Sequence, residues 1–283
     1  MHIELSMIRR YSINNVMFNP ILKNLKENHS LMIITVPMIV LGLFAGYSLA
    51  TSFTWYNLLL VCLGYFFINV IGVTAGLHRY FSHKSFKAAR WKEILMLYAS
   101  TLSGQGSPVW WVALHRGYHH RKSDTLMDPH SPIHGFWHSI FLWIFRIKVD
   151  SISFRYAVDA MRNKDVMWFS THYTKIWLIS NILFGLISVE FMLFFSILPA
   201  FITLITYNLT NSINHMGFGY SNFNTRDNSK NVIWIWPLVL GECWHNNHHG
   251  RPGNYYFGIK WWEIDPSGWF IKLFQDHQSK DTL

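Results

Sequence analysis

Four apolar runs limit what this chain can fold into more than any other feature. They cover about residues 31–51, 56–76, 176–195 and 197–213 and contain no Lys or Arg. Each is close to the twenty or so residues that a helix needs to cross the hydrocarbon core of a bilayer. That layer holds no water to satisfy backbone N–H and C=O groups, so such runs are helical. Residues 52–55 alone join the first two runs, and Ser196 alone joins the last two. The sequence therefore predicts an all-α integral membrane protein with four transmembrane helices, arranged as two antiparallel hairpins whose turns face the same side. Charged residues make up only 14% of the chain, against roughly 25% in soluble domains, in keeping with lipid surroundings.

Orientation follows from the basic residues, which cytoplasmic loops retain. All 24 lie before the first run, between residues 78 and 175, or after 216. Both termini and the middle segment are thus expected in the cytoplasm, with 78–175 and 216–283 forming a helical cap on one domain, 1–283. The first thirty residues carry Arg9, Arg10, Lys23 and Lys26, lack the apolar stretch and cleavage site of a signal peptide, and read as a cytoplasmic segment. The net charge of +9 is spread over several segments with no nucleic-acid module, so no nucleic-acid partner is expected. Cys62 and Cys243 are the only cysteines. They make neither a disulfide framework nor an iron–sulfur cluster, and any electron carrier must be a separate protein. Residues 94–113 and 133–147 are read as interfacial or buried helices, the first broken by Gly-Gln-Gly-Ser-Pro at 104–108.

Histidine is concentrated in three clusters: His78-Arg-Tyr-Phe-Ser-His83, His115-Arg-Gly-Tyr-His119-His120 and His245-Asn-Asn-His248-His249, with Asn211-Ser-Ile-Asn-His215 closing the last run. On a helix, residues three or four apart share a face, which groups His115 with His119, Asn211 with His215, and His245 with His248 and His249. His78 and His83, five apart, do not share an α-helical face, so the chain is expected to unwind after the second run. All 16 histidines lie outside the runs or at their cytoplasmic ends. An isolated histidine is ordinarily a solvated or hydrogen-bonded side chain, but nine in clusters in a chain of 15 acidic residues indicate metal binding. Imidazole suits iron, zinc and copper, and spacing does not choose among them. Nine ligands exceed what one ion takes, whereas two ions with four or five each leave room for oxygen or water. A carboxylate-bridged pair in a helical bundle would need two Glu-x-x-His motifs, and only Glu242 with His245 fits. Glu242, Asp128 and His130 read as groups orienting imidazoles from outside the ligand shell, as against simple surface or turn residues. Asp124 has the same spacing but reads equally well as a turn residue.

Beyond the boxes, the matching segments are Gly72-Val-Thr-Ala-Gly-Leu-His78 through Lys84-Ser-Phe-Lys-Ala88, Asp128-Pro-His130, Gly241-Glu242 and Trp261-Trp-Glu-Ile-Asp265-Pro. In this order, over about residues 55–275, they resemble the membrane fatty-acid desaturases of the acyl-CoA (stearoyl-CoA type) group, including bacterial members. The second box departs in having three residues between His115 and His119. Cys243 stands where relatives carry a small residue and reads as packing. The resemblance implies four spans under a cap holding a di-iron site, with His78, His83, His115, His119, His120, His215, His245, His248 and His249 as ligands and Asn211 bound through a water. It also implies two iron ions as cofactor, O2 as co-substrate, a fatty acyl thioester as substrate and a separate electron donor such as ferredoxin or cytochrome b5. The implied reaction introduces a carbon–carbon double bond. Trp110, Trp111, Trp137 and Trp143, with Phe136, Gly104 and Gly106, are candidates to line an apolar acyl tunnel, although aromatic residues near a membrane surface also serve as interface anchors. The rivals are a hydroxylase or other oxygenase on the same scaffold, and a non-catalytic membrane metal or haem carrier.

Overall fold

Thr54 starts the second helix by local chemistry: it is extended, and its hydroxyl accepts the Asn57 N–H at 3.0 Å, satisfying one of the donors that a helix start leaves free. In a computed structural model describing residues 29–147 and 151–276, it separates α1 (His29–Thr51) from α2 (Trp55–Ser82). The expected cytoplasmic N-terminal segment lies outside the described residues. Short paired stretches are limited, among the described residues, to isolated bridges of Asn231 with Tyr220 and Trp244. Everything else regular is helical: α3 (Arg90–Leu102), α4 (Pro108–Leu114), α5 (Lys164–Ile187), α6 (Val189–Ile213), α7 (His245–Gly250) and α8 (Pro266–Phe274), with shorter turns between.

The second hairpin turns at Ser188 and not at Ser196. Ser188 is extended (φ −164°) and its hydroxyl accepts the Phe191 N–H at 3.4 Å, with Glu190 in the first turn that follows. A capping serine followed by an acid is a helix start, whereas Ser196 is buried within α6. Dividing one long apolar stretch by length alone put the break too late. As a result α5 begins earlier than expected, at Asn163, whose side chain accepts the N–H groups of Asp165 and Val166. Its first half carries Lys164, Asp165, His172 and Lys175. Among the described residues three helices are long and apolar enough to span, within Ile33–Thr51, Trp55–Ser82 and Val189–Ile213. The expected count of four is not reached on those terms.

Large apolar side chains exposed on α1 (Val40, Leu43, Phe44), on α2 (Leu59, Leu63) and on the second half of α5 (Ile182, Leu183, Leu186) are more than a water-facing surface carries. Tyr47, Phe53, Trp55 and Tyr56 cluster at the first turn, also exposed, where an aromatic belt would lie. The helices meet closely at glycines. A Cβ on Gly64 would stand 2.0 Å from the Phe195 carbonyl oxygen, and one on Gly72 would stand 2.6 Å from the α3 backbone at Ala99. Neither of the two ambiguous stretches forms a helix long and apolar enough to cross a bilayer. Residues 94–113 form α3 and α4 around a break where Gly104 and Gly106 take positive φ, 68° and 98°. One face of α3 (Met96, Leu97, Ala99, Leu102) is buried in the main core.

Candidate metal centre

The end of α2 does not unwind. Residues Phe66–Ser82 wind as a π-helix with i→i+5 hydrogen bonds, and the His83 N–H closes it on His78 O at 3.2 Å. This wider π winding brings residues five apart closer to one face than an α-helix does, and His78 and His83, the residue that caps it, have ring centres 5.1 Å apart. The second box repeats the device: residues His115–His119 continue α4 in π form, and the His120 N–H bonds His115 O. The third box opens α7, where Asn231 Oδ1 accepts the Asn246 and Asn247 N–H groups at 3.0 and 3.2 Å. The side chains of Asn246 and Asn247 in turn bind the 220–231 loop. The two asparagines between the histidines therefore hold the box in place.

These elements bring together all nine clustered histidines, in two sets. The ligand nitrogens of His78, His83, His115, His120 and His248 lie within 4.8 Å of one another, and so do those of His119, His215, His245 and His249. Inside the first set Nε2 faces Nε2 between His78 and His248 (2.9 Å), His83 and His115 (2.8 Å), and His248 and His120 (2.9 Å); in the second His119 faces His245 at 3.2 Å. Four imidazoles turn Nδ1 outward to a carboxylate. His78 lies 2.7 Å from Glu242, His119 3.5 Å from Asp128, His215 3.2 Å from Asp124 and His249 2.6 Å from Asp227. Where that contact is a hydrogen bond, at His215 and His249, a proton held at Nδ1 leaves the lone pair on the inward Nε2. Burial, and then the neighbouring imidazoles, push His115, His120, His245 and His248 well below the ordinary histidine range. Burial likewise takes His249 down to about 4 despite Asp227. The inner faces thus crowd imidazole nitrogens at 2.8–3.2 Å from one another, an arrangement suited to a cation set among them.

Glu242, Asp128 and His130 all lie beside the clustered histidines: Glu242 reaches His78 and not its sequence neighbour His245, and Asp128 lies between His119 and His130. Burial alone would raise the Asp128 pKa, but His130 at 3.2 Å and His119 outweigh it and hold the carboxyl at about 2. Burial lowers His130 to about 4. Asp124 is both things considered for it, a positive-φ turn residue (59°) and the partner of His215. Sequence reasoning missed Asp227, which nothing in its Arg-Asp-Asn context marks, and Arg79 inside the first box. Arg79 is fully buried and binds Glu242 and Asp265. An Arg next to a ligand in an otherwise uncharged apolar run was the available signal. Asn211 belongs to neither set, but it lies one turn before His215 and both of its amide atoms are buried without a partner.

A narrow apolar cavity borders this centre, walled by Trp110, Trp111, Trp143, Leu204 and Tyr207, with His115 and Asn211 also in its lining. Gly104 also borders it. Trp137 does not: it is 71% exposed on the surface beside Phe136, because the short helix it precedes turns Ser139, Ile140 and Trp143 inward instead. Cys243 is fully buried among Ile213, Val232 and Trp244, as packing requires, and burial pushes its thiol pKa up.

The sequence profile described as fatty acid desaturase matches residues 52–267. Delta-9 acyl-lipid desaturase 2 from Arabidopsis thaliana is 34% identical over 79% of this chain and 73% of its own length. The sn-2 palmitoyl-lipid 9-desaturase of Nostoc sp. (strain 36) is 31% identical over 85% of this chain and 86% of its own. The acyl-CoA C20 Delta5-desaturase of Anemone leveillei is 35% identical, with 83% and 75% covered.

Proposed function

The chain belongs to the fatty acid desaturase family, and from that premise we propose that it introduces a double bond into a fatty acyl chain at a di-iron centre held by its nine clustered histidines. One ion is assigned to His78, His83, His115, His120 and His248. The other is assigned to His119, His215, His245 and His249, with Asn211 holding a water beside it. The observation that carries this reading is the convergence of two sets of imidazole nitrogens, each within 4.8 Å of one another, beside an apolar cavity. The donor set fits iron, which imidazole suits.

An unactivated methylene has neither an acidic proton nor a leaving group, and iron bound in these sets would supply, with O2, two electrons from a separate donor protein and two protons from solvent, the oxidising power to remove two hydrogens and release two waters. The histidines act as ligands and not as general bases. Glu242, Asp124, Asp128 and Asp227 fix ring orientation and keep the lone pairs inward. Trp111 stacks on His115 with ring centres 4.9 Å apart, and Leu204 and Tyr207 help to close the cavity, keeping bulk water from the reacting carbons. The depth to which the chain enters between Trp110 and Trp143 sets which bond is desaturated. The substrate is assigned as a fatty acyl thioester, and the acyl-CoA and acyl-lipid names of the relatives make lipid-linked chains the second carrier to test.

The membrane arrangement we assign has four spans, with the second half of α5 as the fourth, and the centre and both termini on the cytoplasmic side. Support comes from the basic residues, all outside the apolar runs, and from the exposed apolar face of α5. The test is expression in a host of defined lipid profile, followed by mass spectrometry of its fatty acids, alongside incubation of the purified protein with labelled acyl-CoA, O2 and a reductant. New alkenes at one position are expected. Alcohols in their place would favour the hydroxylase reading, and bound haem without O2 consumption would favour a carrier.

A further inference from the structure

The two histidine sets differ less in their ligands than in the charge around them. Three of the four imidazoles in the smaller set point Nδ1 at carboxylates: Asp128, Asp124 and Asp227. None of these acids is paired with Lys or Arg among the described residues, and oxygens of Asp124 and Asp227 lie within 4.8 Å of each other and of His215. In the larger set only His78 has such a partner, Glu242 at 2.7 Å. The other Glu242 oxygen accepts two bonds from Arg79, at 3.1 and 2.8 Å. A second guanidinium, Arg116, is fixed beside His83 by the carbonyls of Phe81 and Ser82, both at 2.6 Å, and is itself paired with Asp159. Arg79 is shared between Glu242 and Asp265, so one net negative charge remains beside the five-histidine position, against three carboxylates without a Lys or Arg partner around the four-histidine position.

A carboxylate on Nδ1–H moves imidazole toward imidazolate and makes Nε2 a stronger donor. Buried charges also act through a low dielectric, so their sum is felt at the metal. Both effects favour the more highly charged ion. We infer that Asp124, Asp128 and Asp227 make the two metal positions electrically unequal, so that of the two irons the one in the four-histidine set is the harder to reduce. The inference rests on the di-iron reading above. Reduction of the pair from ferric to ferrous takes two electrons from the donor protein, one per iron; the first goes to the five-histidine position and the second to the position beside Asn211. These aspartates are positioning and tuning residues that touch no substrate.

The test uses the full-length protein in detergent, loaded with 57Fe and titrated with a reductant while Mössbauer and EPR spectra count ferric, mixed-valent and ferrous pairs. Wild type is expected to give two one-electron waves with a mixed-valent signal between them. Asp227→Asn is expected to raise the lower wave, changing the ferric-to-ferrous ratio at fixed potential about tenfold, or about 59 mV for one electron, while the upper wave stays in place. Asp124→Asn, which acts on the same set from a different loop, is expected to do the same and stands in if Asp227→Asn does not hold two irons. A single two-electron wave in wild type, or movement of the upper wave in either variant, overturns the inference. Fewer than two irons per wild-type chain removes the di-iron reading itself, and the inference with it.

Discussion

Replacing Arg79 with Met tests the part of the protein with the highest electrostatic stake. The Arg79 side chain is 0% exposed. It donates to Glu242 Oε1 at 3.1 and 2.8 Å, to Asp265 at 2.7 and 3.1 Å and to the Tyr255 carbonyl at 2.7 Å, and its guanidinium lies 3.7 Å over the Phe257 ring. Met keeps most of the side-chain length and the apolar contact but leaves two carboxylates, Glu242 at 3% and Asp265 at 0% exposure, without a counter-charge. Breaking a buried pair from one side costs about 3–5 kcal/mol. Asp265 still accepts the N–H groups of Phe257 and Gly268 at 2.8 and 2.9 Å, and Glu242 keeps His78, so the lower part of that range, about 3–4 kcal/mol, is expected. At about 1.4 kcal/mol per decade this is a loss of roughly two to three decades in the folded-to-unfolded ratio. Mixed-micelle unfolding followed by tryptophan fluorescence measures it. Adding Asp265→Asn to the Met variant removes one of the two stranded charges and is expected to recover about half of the loss. A loss below about 1 kcal/mol, or no recovery in the double variant, would refute the reasoning that uncompensated burial sets the cost.

Alanine at His249 and alanine at His83 are expected to behave differently in metal content: each lowers iron from two toward one per chain, and the Mössbauer doublet that survives differs between them. Identical spectra would argue against two separate ligand sets. Filling the cavity with Leu204→Trp is expected to shift products to shorter acyl chains in lipid profiles of expressing cells, and an unchanged chain-length distribution would remove that cavity from the acyl path. For pH, His130 is held at about 4 when folded against 6.5 in its ordinary state. The unfolded chain therefore takes up this proton first, and the stability present above 6.5 is lost as pH falls from about 6.5 to 4, at most about 3 kcal/mol. His130→Gln is expected to flatten that part of the metal-free protein's acid-unfolding curve, and an unchanged slope would contradict it.

How much of the site was legible depended on whether a signal is local. The nine histidines could be read because metal-binding side chains at helical spacing are rare by chance. The helical fold could be read because long apolar runs permit nothing else in lipid. The state of the chain between His78 and His83 could not. Five-residue spacing is compatible with unwinding or with π winding, and only the fit of α2 against α3 at Gly72 and of both histidines into one set selects the second. Trp137 and Trp143 look alike in sequence, and which of them borders the cavity is decided by the direction in which one short helix rolls.

The sequence alone determined that this is a helical chain with spans long enough for a bilayer, with nine clustered histidines outside its apolar runs. Each of these follows from composition and spacing within a few turns of chain. Tertiary structure decided the turn at Ser188, the division of the histidines into five and four, and the pairing of four of the imidazoles with an acid. His78 meets His248 across 170 residues and His215 meets Asp124 across 91. Contacts at that range are set by how the helices pack and how the cap loops return, not by local preference, and the unequal charge around the two sets comes into being only there.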